Sequence, residues 1–197
     1  MELIGKERYL GKFNINSGAL IIGDPCYSPD TWCLGDCFDV LDGTWAAKIL
    51  EADGSETGLG DRNTALFAFN LDYIEANHEI DDIDVIRFVN GAYRNEFILE
   101  YTVGLLGVDS GQAGIYDHKH YLTVKASSEE ESWYWQNGDI TLTNDMAGVL
   151  PDKKGCVSSS GFGDGMYEYF CYHNEQGETV AVLIVFIEEE ETVSEEE

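Results

Sequence analysis

The sequence predicts a β-rich α+β domain: an antiparallel sandwich or partly closed barrel with one or two short helices. Three observations carry this. Glycine is frequent (21) and proline scarce (3). Short β-branched or aromatic runs recur between clusters of Gly, Asp, Asn and Ser, the pattern of strands joined by tight turns. The 197 residues are 44% hydrophobic and 12% aromatic, which excludes a disordered acidic chain and supplies one core, since a chain of this length buries about 70% of its unfolded surface.

Taken in chain order, strands are expected at Ala19–Ile22, Thr44–Leu50, Thr64–Asn70, Val85–Val89, Glu96–Val103, Gln112–Tyr116, Ile140–Thr143, Met166–Tyr172 and Thr179–Ile187. Between the last two, His173-Asn-Glu-Gln-Gly177-Glu offers Asn and Gly for positive φ, so they read as a hairpin. Val180 to Ile187 is apolar without interruption, as expected of a central strand covered on both faces. Ser28-Pro29-Asp30-Thr31 supplies an N-cap followed by Pro, the start of a helix running to about Cys37. A second short helix is expected over Asn70 to Asn77, capped by Asn70 or Asp72. The folded unit is read as residues 1–187, and 188–197 as an acidic tail with seven acids in ten residues.

Charge restricts function. There are 38 Asp and Glu against 11 Lys and Arg, a net charge of −27. Removing the tail's seven acids leaves −20 on the body. Such a field repels phosphate backbones and anionic membranes, so no direct nucleic-acid or membrane partner is expected, and a protein partner should be basic. The start of the chain has no apolar h-region and no apolar run approaches the roughly twenty residues of a membrane helix. Five cysteines form an odd count, which favours free thiols and a cytoplasmic location.

A weak internal echo is present. Ser17-Gly18 is followed by Asp24, and Ser110-Gly111 by Asp117, each across five mostly apolar or small residues. One reading is a repeated unit of turn, strand and Asp-headed loop, giving two related half-sheets; coincidence is the other.

Several segments are candidates for chemistry. Ser158-Ser-Ser-Gly161-Phe-Gly163-Asp164-Gly165 is rich in backbone freedom, and Gly161, Gly163, Asp164 and Gly165 form a candidate ligand-binding loop; a glycine-rich hairpin or bulge is the alternative. Asp24, Asp109, Asp117 and Asp164 each sit at an expected strand-to-loop junction, and if they converge their hard oxygens suit Mg²⁺ or Ca²⁺ and metal-assisted hydrolysis. Asp is also an ordinary turn former. Cys26, Cys33 and Cys37 lack the paired spacing of a zinc knuckle and read as small buried thiols. His118 and His120 would share a side if extended. Trp133-Tyr134-Trp135 reads as a strand whose two tryptophans cover a core, or as an exposed anchor. Nothing local marks a Ser or Cys nucleophile.

Gly107-Val-Asp109-Ser-Gly111-Gln-Ala-Gly-Ile-Tyr-Asp117, Ser159-Ser160-Gly161-Phe-Gly163-Asp164-Gly165-Met-Tyr167 and Gly177-Glu-Thr-Val-Ala-Val-Leu-Ile-Val resemble segments of the bacterial and phage domain-of-unknown-function family 4241. Gly23-Asp24-Pro25-Cys26-Tyr27 and Gly43-Thr44-Trp45 are similar to its earlier pieces. The resemblance runs in order over about residues 17 to 187, excluding Leu71 to Asp84, and departs at Met166-Tyr167-Glu168, where the family has a small residue and then Tyr-Pro. It implies a fold unit and a bacterial or phage origin, and no reaction. The expected function is a non-enzymatic module that binds a basic protein, such as a decoy against a defence enzyme; a divalent-metal-dependent hydrolase using the loop aspartates is the alternative.

Overall fold

The computed structural model describes residues 3–54, 60–77, 83–91, 100–122, 132–143 and 145–188. In order they form β1 (Lys6–Ile15), β2 (Ala19–Gly23), β3 (Gly35–Phe38), β4 (Gly43–Ala52), β5 (Arg62–Asn70), α1 (Leu71–Asn77), α2 (Val85–Val89), β6 (Glu100–Val108), β7 (Gln112–Asp117), α3 (Trp133–Thr141), β8 (Ala147–Val149), β9 (Gly155–Ser159), β10 (Gly165–His173) and β11 (Thr179–Val185). The strands build two packed sheets, ordered β1-β4-β5-β11-β10-β6 and β3-β2-β7-β9-β8, and neither closes into a barrel. Pairing between these strands is antiparallel throughout.

Alternation along the strands sorts side chains into layers. Leu20 and Ile22 of β2, Leu66 and Ala68 of β5, Ile115 of β7, and Val182 and Ile184 of β11 fill the space between the sheets, with Phe13 and Trp45. The opposite face of the large sheet, with Phe67, Phe69, Phe170, Ala181 and Leu183, is covered by Ile74 of α1 and by Val85 and Phe88 of α2. The outer face of the small sheet carries Ile21 and Tyr116, which pack on Trp133 of α3. The expected hairpin is β10–β11, and β11 lies inside the six-stranded sheet with apolar layers on both faces.

The two halves of the chain share one strand plan. Exchanging β1 with β6, β4 with β10 and β5 with β11 reproduces the large sheet, and exchanging β2 with β7 and β3 with β9 reproduces the small one, leaving β8 over. Register agrees. Ile15 pairs with Gly43 as Val108 pairs with Gly165. The pairs Phe67↔Leu183 and Ile22↔Ile115 lie at the centres of symmetry of the two sheets. The echo of Ser17-Gly18…Asp24 in Ser110-Gly111…Asp117 is thus a structural equivalence between β2 and β7, and the backbone agrees: Gly18 and Gly111 are left-handed at φ 64° and 69°.

Four expectations need correction. Val85–Val89 is helix α2, because Asp84 caps it by accepting the Arg87 N–H at 2.7 Å and the spacing of Val85 and Phe88 turns both onto the large sheet. Ile140–Thr143 is the end of α3 and the turn after it; Ser132 caps that helix, so Trp133 is buried while Trp135 faces outward. Ser28 to Cys37 is not a helix, since left-handed Asp30 (φ 68°) breaks it, and successive turns lead into β3. The strand expected at Glu96–Val103 runs instead to Val108, through glycines that read as turns; Gly104 lies against the Tyr169 ring. Residues 96–99 fall outside the described residues. The helix at Asn70 holds, and Asn70 is its cap, accepting the Tyr73 N–H at 2.8 Å.

Candidate functional site

The four aspartates singled out by their loop positions divide into three settings. Asp24, at the end of β2, is fully buried. Its Oδ1 accepts from the Cys26 N–H (2.8 Å) and the Ser110 hydroxyl (2.6 Å), and its Oδ2 from the Asp109 and Ser110 N–H groups (2.8 and 2.7 Å). Asp117, at the end of β7, is buried too and does the reciprocal task, accepting from the Asn16 N–H at 2.6 Å and the Lys119 N–H at 3.0 Å. Each carboxylate ties its own turn to the loop preceding the other strand. Such charge-assisted bonds to N–H groups are the stronger kind.

Asp164 is exposed and accepts the Gly111 N–H at 3.1 Å. Its symmetry mate is Asp42, which accepts the Gly18 N–H at 2.8 Å. The equivalence extends onward: the Trp45 indole N–H donates to the Leu41 carbonyl and the Tyr167 hydroxyl to the Gly163 carbonyl. Asp42 was not among the residues read from sequence. The signal for it was a second echo, Asp42-Gly43-Thr44-Trp45 with Asp164-Gly165-Met166-Tyr167. The glycine segment is therefore the turn that carries the chain from β9 to β10, closed by Gly163 N–H to Ser160 carbonyl (2.7 Å) and Ser160 hydroxyl to Gly163 carbonyl (2.8 Å). Gly161 has φ 52° and Gly163 φ 104°. On one side this turn borders a hollow of about 240 Å³ with Arg62 and Ser159.

On its other side lies a larger cleft of about 530 Å³, between the β2–β3 connection and the ends of β6 and β10. Asp109 and Asp164 form its polar rim and Trp32 and Met166 its apolar part; Tyr27, Cys33, Gly107 and, from the glycine loop, Gly165 are among the other residues that line it. Trp32 is 84% exposed and Met166 52%. Burial, and after it the neighbouring Asp109 and Cys33, push the Tyr27 phenol well above its usual range, so it stays neutral. Cys26, expected to be buried like Cys33 and Cys37, is exposed; partial desolvation of its thiol, reinforced by Asp24, nonetheless raises it to about 12 and keeps it protonated, which makes it a poor nucleophile. Trp32 and Met166 were not selected from sequence because nothing local distinguishes an exposed tryptophan from a core one.

The structure brings Asp109 and Asp164 to one cleft and leaves Asp24 and Asp117 engaged with backbone. Among the described residues no group of three His, Cys, Asp or Glu side chains is placed to hold a metal ion. Cys33 packs on Gly107, whereas Cys37 lies in the inter-sheet core beside Thr179, its Sγ 3.1 Å from the hydroxyl. His118 and His120 lie in a single 3₁₀ turn after β7, and His118 Nε2 is 4.0 Å from Asp36. Comparison with protein-family models, with curated proteins and with solved structures finds no match. No helix among the described residues is long and apolar enough to cross a membrane.

Proposed function

We propose that the protein is a non-enzymatic binding module whose cleft face engages a basic protein in the cytoplasm. The observation that carries this reading is an almost fully exposed Trp32 beside Met166, rimmed by Asp109 and Asp164, on a chain of net charge −27. Large apolar side chains at the centre of an interface supply most of its binding energy, and a carboxylate rim selects cationic partners and speeds encounter. The resemblance to a bacterial and phage family extends the proposal: a nucleic-acid-binding defence enzyme, whose cationic groove an acidic decoy would fill, is one such partner.

The test is retention of host-lysate proteins by the wild-type chain and by Trp32→Ala, at low and at high salt, with melting curves in the same buffers. A basic protein held at low salt, released as salt screens the field and lost with Trp32→Ala is the expected result. No basic protein at low salt, with stability climbing steeply in molar salt, would assign the charge to solvent adaptation instead. A second reading, a divalent-metal hydrolase, draws on Asp109 and Asp164 sharing the cleft. It requires heat of binding and a raised melting temperature with millimolar Mg²⁺ or Ca²⁺, and absence of both would end it.

A further inference from the structure

The two halves differ most in what covers their edge strands. β1 and β6 are equivalent, each at one end of the six-stranded sheet, and each is tied at an equivalent point to the connection that follows the small-sheet strand of the other half, β7 for β1 and β2 for β6. Asn14 N–H donates to the Lys153 carbonyl, and Gly107 N–H to the Cys33 carbonyl, both at 2.9 Å. Beyond that point they diverge. The long β7–β9 connection continues along β1, setting Val149 against Gly11 and receiving a hydrogen bond from the Arg8 guanidinium at the Asp145 carbonyl. β1 also has a register irregularity after Tyr9 and carries Lys6, Arg8 and Lys12. These are the devices that protect a sheet edge. The β2–β3 connection, residues 24–34, is short, and among the described residues β6 has no covering segment beyond Cys33, no register irregularity and no Lys or Arg between Glu100 and Asp109.

In an antiparallel ladder alternate residues bond the neighbouring strand. Gly107 directs its N–H away from β10, so Val103 and Leu105 turn their N–H and C=O groups to the same open side, where no described residue pairs with them. Their side chains share one face and are 52% and 57% exposed. Leu105 occupies the position that Lys12 holds in β1, opposite Glu168 where Lys12 faces Ala46.

We propose that the open edge of β6 receives an extended segment of the basic partner as a seventh strand of the large sheet, its backbone bonding Val103 and Leu105 and its cationic side chains, on the face that carries Leu105, meeting Glu168 and Asp109. The inference rests on the binding role proposed above and names the form of the ligand. Strand addition takes affinity from backbone hydrogen bonds and specificity from alternate side chains, so the segment alternates apolar and Lys or Arg residues. A second copy of this chain has the same open edge but also the same charge of −27, which opposes it.

The probe is a capped nine-residue peptide of alternating Lys and Val, titrated calorimetrically into the full chain, together with two forms N-methylated at the valine or at the lysine amides. The parent peptide is expected to bind, more weakly as salt rises, and one methylated form to lose at least tenfold in affinity. Leu105→Pro removes only the open-side N–H and is tolerated at a sheet edge; it should lose at least tenfold with its melting temperature nearly kept. Leu105→Lys, which copies β1, checks the result should proline disturb the fold. Equal binding of all three peptides means adsorption to acidic surface and overturns the proposal, as does unchanged affinity in both variants. Dimerisation in sedimentation velocity that Leu105→Lys abolishes would give the edge to a second copy. A basic lysate partner still held by Leu105→Lys would refute the docking edge and leave the binding module standing, whereas failure of the lysate test and of the parent peptide would remove both.

Discussion

At the scale of single residues, similar side chains carry different loads. Asp24 is a buried carboxylate meeting four donors. Asp24→Asn turns one acceptor into a donor facing donors, and should cost on the order of 3 kcal/mol in denaturant melts. Asp164 is exposed and accepts one N–H, so Asp164→Asn should cost about 1 kcal/mol or less. Equal losses would contradict this assignment of roles. At Gly163 the backbone has φ 104°, and a methyl group there would meet nothing within 4 Å. Gly163→Ala should therefore destabilise by about 1 kcal/mol through conformation alone. An unchanged melting curve would show that the turn relaxes freely.

Among elements, the β10–β11 hairpin has a titratable clasp. His173, at the end of β10, reaches Thr102 of β6 through Nε2 (3.1 Å) and Thr179 of β11 through Nδ1 (3.2 Å). Burial lowers its pKa below the ordinary 6.5, against a smaller upward pull from Glu100. The unfolded chain therefore takes up the proton first as pH falls. The stability involved is whole above pH 6.5 and is lost as pH drops from there to the lowered folded value. Between about pH 7.5 and 5.5 the melting temperature should fall, and fall less in His173→Gln. The same hairpin was the most legible element in the sequence, because uninterrupted apolar residues in β11 and a turn with Asn and Gly agree. Val85–Val89 misled because β-branched residues favour strands locally, while Asp84 and a three-residue spacing toward Phe67 and Tyr172 favour a helix in context. β1, half-exposed and of mixed charge over Lys6 to Lys12, alternates only at its end, where Phe13 and Ile15 flank Asn14. In the candidate site Asp109 and Asp164 were legible as loop acids, but their sharing a cleft with Trp32 is a product of chain crossings that no local pattern encodes.

Across the whole molecule, the twofold strand plan means that neither half is complete. Residues before β6 supply β1-β4-β5 and β3-β2, leaving β5 and β2 as raw edges, and their natural complements, β11 and β7, come only from the second half. The protein is in this sense a dimer written as one chain. If the chain is cut between Gly91 and Glu100, the two fragments should reassociate one to one when refolded together, joined by Phe67↔Leu183 and Ile22↔Ile115 at their seams. Refolded alone, the first fragment would meet only its own likeness at each seam, and gel filtration should find it self-paired or aggregated.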